Sequence, residues 1–189
     1  MIRIGILGDI GSGKTFVANN FGYPVFNADY EVALLYKKNK KIFFQLSKEL
    51  PKQITKFPID KNEIINAIFD NKKNLKKIIN IVHKEVRKKL TLFLKKNKNH
   101  KIVILDIPLL IENKIYNKKD ILIFVDSKKK DIDKRLKKRP NFNLKLLSIF
   151  KRIQFSSNYK KKKSHFIIKN TFKKIPVKNE IKKIINKIL

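Results

Sequence analysis

Gly8-Asp9-Ile10-Gly11-Ser12-Gly13-Lys14-Thr15 holds the densest run of chemically useful residues in this 189-residue chain. It fits G-x-x-x-x-G-K-[ST] at every fixed position. Glycine permits sharp backbone turns and close approach to a ligand. Gly8, Gly11 and Gly13 therefore let the loop wrap with its N–H groups pointing inward, as an anion nest. A helix opening near Lys14 adds the positive end of its dipole. The chemistry this predicts is polyphosphate binding. Gly11, Ser12, Gly13, Lys14, Thr15 and Phe16 hold ATP, with Lys14 on the β- and γ-phosphates and the Thr15 hydroxyl on Mg²⁺. All five glycines lie in the first 22 residues, so the loop is a local commitment of the chain.

A triphosphate site does not fix a reaction, because switches, ATPases and small-molecule kinases share it. The acids and arginines narrow the choice. Asp29 follows a short strand in FNADY. Strand ends of a parallel sheet open onto the ligand crevice, where a carboxylate can take the proton of an attacking hydroxyl. Asp29 could equally cap a helix starting at Tyr30. Asp106 ends another strand, a place suited to organising Mg²⁺, or else it shapes the turn before Pro108. Arg135 and Arg139, four apart in RLKKR, would share one helix face and clamp a transferring phosphoryl group. The alternative is a solvated helix. His83 is either a substrate contact or a half-buried helical residue. Lys160–Lys163 reads as a solvated face, and the Asp9 side chain is expected to point outward from the loop.

These residues need a scaffold, and the hydrophobic pattern supplies one. Residues 2–7, 24–27, 102–107, 121–125 and 166–168 read as strands. The unbroken apolar runs IVILDI and ILIFV suit strands covered on both faces. Helices are expected over 14–21, 60–69, 71–96, 128–139, 143–157 and 178–188. Asp60 and Glu63 form a cap pattern for the 60–69 helix. Leu75, Ile78, Ile79, Val82, Val86, Leu90, Phe93 and Leu94 form a stripe of helical period along the long one. The alternation predicts an α/β domain with a doubly wound parallel sheet flanked by helices. Neither an internal repeat nor a dividing linker is visible.

Composition excludes several classes. There is no Cys, so disulfides, thiolate zinc sites and a cysteine nucleophile are ruled out. The three His (His83, His100, His165) are too scattered for a typical His-based metal site. No apolar run reaches the roughly 20 residues of a membrane span. The segment MIRIGILG is too short and glycine-interrupted for a signal peptide, so a cytoplasmic protein without a membrane partner is expected. The net charge is +32, from 47 Lys+Arg against 15 Asp+Glu. Only five of those cations are Arg, and the Lys are spread over every segment after Tyr36. Lys, Asn and Ile make 91 residues, as an A+T-rich coding sequence would produce. A solvated lysine surface without a specific nucleic-acid partner is the expectation. A nucleic-acid-associated ATPase is the different-class alternative.

The motifs together resemble the dephospho-CoA kinase family, over about Ile4 to Asn170. GILGDIGSGKT resembles its phosphate loop, which usually has a second Gly where Asp9 stands. VFNADY resembles V-x-D-A-D, with Asn27 for the first acid and Asp29 for the second. The stretch from FPIDKNEII to VHKEVRKKL resembles the substrate region. There His83 and Arg87 match and Lys84 replaces a Pro. ILDIPLLIEN resembles D-x-P-L-L-x-E, giving Asp106, Pro108, Leu109 and Glu112. RLKKR resembles the lid. FKRIQFSSNYKKKKSHFIIKN resembles the closing segment, with Gln154, Lys160, Ile168 and Asn170 aligned. Phe150 stands for an Arg, and Ser164-His165 for Ala-Asp.

The resemblance implies transfer of the ATP γ-phosphoryl to the ribose 3′-hydroxyl of dephospho-CoA. It implies Asp29 as base, with Lys14, Arg135 and Arg139 as the other catalytic groups. Asn170 lies on the nucleotide side. His83, Arg87, Asp106, Pro108 and Leu109 join Asp29 on the substrate side, and Thr15 and Asp106 lie on the metal. It also implies a core over about 1–29, 99–127 and 159–189, a helical substrate region over about 30–98 and a lid over about 128–158. A monomer or weak homo-oligomer is expected. A nucleoside or nucleotide kinase of the same architecture is the neighbouring alternative.

Overall fold

The computed structural model describes residues 1–139 and 142–189. By their contacts these form two compact units, Met1–Asn27 with Asn97–Leu189, and Ala28–Lys96.

The first unit is built on a five-stranded sheet. Its strands are β1 (Ile2–Gly8), β2 (Val25–Asn27), β3 (Ile102–Asp106), β4 (Ile121–Asp126) and β5 (Phe166–Lys169). Their order is β2-β3-β1-β4-β5, and every pairing is parallel. Side chains alternate faces along a strand. Ile4 and Ile6, Ile102 and Ile104, and Ile123 and Val125 therefore share one face. That face is covered by α1 (Lys14–Asn19) and by α9 (Lys174–Ile188), through Val17, Ala18, Val177, Ile181 and Ile184. These side chains are nearly all fully buried, worth about 1.5–3 kcal/mol each for the larger ones. The parallel arrangement brings the carboxyl ends of β1, β2 and β3 together. The phosphate motif begins at the last residue of β1, and Asp106 is the last residue of β3.

Helices α6 (Lys129–Lys137), α7 (Leu144–Ile153) and α8 (Ser157–Lys163) complete this unit. The expected helix over 143–157 ends at Ile153, and α8 beyond it was not anticipated. Gln154 is extended (φ −87°, ψ 142°). Ser156, also extended, accepts the Tyr159 N–H at its hydroxyl and starts α8 afresh. Helix α6 stops at Lys137, short of Arg139, so Arg135 and Arg139 do not share a helix face as their spacing predicted. Helix α9 starts four residues earlier than expected. Pro176 lies in its first turn, where its missing N–H has no intrahelical partner to lose. His165 Nδ1 accepts the Leu122 N–H at 2.9 Å, so this ring joins β4 to the start of β5.

The second unit is four helices: α2 (Ala28–Lys38), α3 (Lys40–Glu49), α4 (Lys61–Asp70) and α5 (Lys72–Lys96). Helix α5 contacts the other three. Its buried face is Asn74, Leu75, Ile78, Val82, Val86 and Leu90; of the predicted stripe, Ile79, Phe93 and Leu94 are only half-buried. Helix α3 was not anticipated. Its buried residues, Ile42 and Leu46, are only two in a lysine-rich stretch, and its start is set by Asn39, which accepts the Ile42 N–H. Asp60 caps α4 through Asn62 N–H. Glu63 does not complete the cap box but accepts from Thr55 N–H and hydroxyl.

Candidate active site

The phosphate loop joins β1 to α1. Gly13 has φ 87°, a conformation that disfavours any Cβ. A Cβ there would also collide with Asn170 Nδ2 and lie 2.7 Å from the Phe172 ring. Gly11 has the same φ and faces Ile132 and Leu136 of α6. The Ser12 carbonyl accepts from Ser127 Oγ and Asn170 Nδ2, each at 2.8 Å. The Ser12 N–H donates to Asp9 O at 3.1 Å, so both backbone groups of Ser12 hold the loop in a turn, the kind of conformation in which backbone N–H groups form an anion nest. The buried Ser12 hydroxyl has no partner among the described residues. A buried unsatisfied hydroxyl costs free energy unless a ligand meets it. Lys14 Nζ donates to the carbonyls of Asp9 (2.9 Å) and Gly8 (3.2 Å), which holds the ammonium against the loop it is expected to serve.

Thr15 donates its hydroxyl to Asp106 Oδ2 at 2.6 Å, and Asn27 Nδ2 donates to the same oxygen at 2.8 Å. The loop, the end of β2 and the end of β3 thus meet at one buried carboxylate. A threonine hydroxyl beside a carboxylate is an oxygen donor set suited to Mg²⁺, which binds through one or two carboxylates plus substrate phosphates. After β3, Leu109 has φ 56°, a strained value for a bulky residue. Such strain collects at ligand sites. Glu112 accepts the Phe155 N–H at 2.9 Å.

Arg135 stands 4.1 Å from the centroid of the Phe172 ring. Phe172 itself has φ 61° and donates its N–H to Asn170 Oδ1. The arginine, this aromatic ring and Asn170 are therefore assembled on Gly13. Arg139, just past the α6 end, is exposed.

In the second unit, Asp29 is in the first turn of α2, which starts at Ala28. It is not the cap of a helix beginning at Tyr30; an acid in this turn is favoured by the helix dipole. His83 is half-buried on α5. Burial and the nearby Arg87 charge hold its pKa below the ordinary value, so the ring is neutral near pH 7.

Two sequence expectations fail at Lys160. It is not part of a solvated face but is 2% exposed. Its ammonium donates to Asp9 Oδ1 at 2.9 Å, and to Gly8 O and Gln154 Oε1 at 3.4 Å each. Asp9 does not simply point outward, because its other oxygen accepts from Ser157 Oγ at 2.6 Å. The family resemblance aligned Lys160, but charge pattern alone concealed it: four consecutive lysines on a helix look alike until one turns inward.

The dephospho-CoA kinase family model matches residues 2–174. The chain belongs to that family. The dephospho-CoA kinase of Wolbachia sp. subsp. Brugia malayi is 33% identical, over 98% of this chain and 97% of its own length. A Thermus thermophilus crystal structure superposes with a TM-score of 0.82 at 27% identity, covering 100% of this chain and 97% of that one. Dephospho-CoA kinase from Campylobacter jejuni gives 0.59 at 26% identity, covering 98% and 96%. The chain is thus a kinase, a nucleotide-binding transferase of coenzyme A biosynthesis that phosphorylates dephospho-CoA at the expense of ATP. No helix among the described residues is long and apolar enough to cross a membrane.

Proposed function

We propose that the chain moves the ATP γ-phosphoryl to the ribose 3′-hydroxyl of dephospho-CoA, with Asp29 as general base. The meeting of Thr15 and Asp106 at 2.6 Å carries this reading, because it joins the phosphate loop to an acid at a neighbouring strand end. Gly11 to Phe16 hold the polyphosphate, and Lys14 leaves the Gly8 and Asp9 carbonyls for the β- and γ-phosphates. Thr15 and Asp106 would hold Mg²⁺. A bound Mg²⁺ neutralises phosphate charge and so favours attack on the γ-phosphorus. Asp29 accepts the hydroxyl proton as the oxygen–phosphorus bond forms and the β–γ bridge breaks to ADP.

Residues 128–158 act as a lid. Arg135 faces the nucleotide from its perch on Phe172, and Arg139 covers the transferring group, excluding water that would hydrolyse ATP. Asn170 shapes the nucleotide side. His83, Arg87, Pro108 and Leu109 contact the acceptor, the neutral imidazole serving as a hydrogen-bond partner rather than a cation. The protein works in the cytoplasm as a monomer or weak homo-oligomer.

Mass spectrometry of the products formed from Mg-ATP and dephospho-CoA tests the assignment. Coenzyme A phosphorylated at the 3′ position, with stoichiometric ADP, is the expected result. Preferential turnover of a nucleoside or nucleotide from a parallel panel would replace the acceptor assignment and leave the phosphate site standing.

A further inference from the structure

The mechanism above leaves one charged pair unused. Asp9 is an acid inside an anion-binding loop, and Lys160 is a buried cation beside it. Lys160 Nζ and Lys14 Nζ both donate to the Gly8 carbonyl, at 3.4 and 3.2 Å. Two ammonium groups on one carbonyl repel each other. The Asp9 carboxylate, 2.9 Å from Lys160, offsets that repulsion, and Ser157 fixes its second oxygen. Burial pushes the Asp9 carboxyl up. Hydrogen bonds from Lys160 and Ser157 and the charges of Lys160 and Lys14 outweigh burial and hold it below the usual aspartate value.

A buried ammonium needs an anionic partner, because neutral carbonyls do not repay its desolvation. With Asp9 present, Lys160 has that partner before any nucleotide arrives. Without it, Lys160 keeps the neutral Gly8 and Gln154 oxygens, each at 3.4 Å. The nearest new anion would then be a phosphate group at the loop.

We propose that Asp9 is an internal counter-anion of the phosphate site, holding Lys160 back from the bound nucleotide and so weakening nucleotide affinity. Asp9 is thus a positioning residue that acts through Lys160, and it favours release of ADP after transfer. The proposal rests on the nucleotide-site reading given above.

Calorimetric titration of the full chain with Mg-ADP separates the two. Wild-type protein should bind, and Lys14→Ala should lose binding. If wild-type protein does not bind, the nucleotide-site reading fails and this proposal fails with it. Given wild-type binding, Asp9→Asn should bind Mg-ADP about three- to tenfold tighter, the scale of one charge about 4 Å away in a water-like dielectric. KM for ATP should fall in step, without a rise in kcat. Asp9→Gly, the residue usual in the family at this position, should act in the same direction and serves if the Asn variant fails to fold. In a Lys160→Met background the tightening should shrink to less than half. Unchanged or weaker ADP binding by a folded Asp9 variant overturns the proposal, as does full tightening without Lys160. A purely structural ion pair would lower the melting temperature and leave the affinity alone.

Discussion

Asp29 is a case where local structure permits the chemistry without requiring it. The first turn of α2 welcomes an acid for its dipole, and the same carboxylate stands two residues beyond Asn27, whose amide bonds Asp106. Replacing Asp29 by Asn keeps size and polarity and removes only the basic oxygen. Turnover of dephospho-CoA should fall about 10²–10⁴-fold, the usual worth of a general base, with Mg-ADP affinity unchanged. Steady-state kinetics beside calorimetry reads both, and wild-type turnover by the variant rejects Asp29 as the base. At Thr15 the matching change is Val, which keeps the shape and loses the hydroxyl. Mg²⁺-dependent turnover should fall while the protein stays folded, as metal titrations with far-UV circular dichroism would register. Undiminished turnover would remove Thr15 from the metal.

Asp9 adds a pH signature at the same scale. Its carboxyl is held below its value in an unfolded chain. Between those two values the unfolded state binds more protons, so stability rises with pH there. The contribution is complete above the ordinary aspartate value and drains away as pH falls through the depressed one. Denaturation midpoints of wild type and Asp9→Asn should therefore converge as the solution is acidified below about pH 4. Parallel curves across that range would mean the carboxylate gains nothing from the folded state.

Legibility differs by element for physical reasons. The β1–loop–α1 segment is readable because its constraints are local: glycine at positive φ, then a lysine and a hydroxyl at fixed spacing. Helix α5 is readable because one buried stripe runs from Leu75 to Leu90. Helix α3 was hidden because lysines dilute its buried pair, Ile42 and Leu46. The α7–α8 break was hidden because Ser156 looks like any serine until its hydroxyl caps a new helix. The Lys160–Asp9 contact spans 151 residues, and periodicity carries no information at that range. Removing the α8 cap tests how much the element relies on it. Ser156→Ala should cost about 1 kcal/mol in urea unfolding and loosen the Lys160 contact with the loop. A change within error would mean that packing against β1 and β4 holds α8 without its cap.

At the scale of the molecule, the +32 charge and the active site make opposite demands on salt. The charge is carried mainly by lysines on the surface, screened over about 8 Å at physiological ionic strength. Binding of any polyanion to that surface releases counterions, and its affinity falls linearly in log–log terms with salt. The buried Lys160 and half-buried Lys14 sit in lower dielectric, where screening is weaker. Affinity for a mixed-sequence RNA should therefore collapse between about 50 and 200 mM salt, while KM for ATP moves far less. ATP turnover with dephospho-CoA should not respond to RNA at either salt. Fluorescence anisotropy with labelled RNA, run beside a coupled ADP assay, compares the two directly. RNA-stimulated ATP hydrolysis with the same steep salt slope would mean the lysine surface is a working interface and not a by-product of composition.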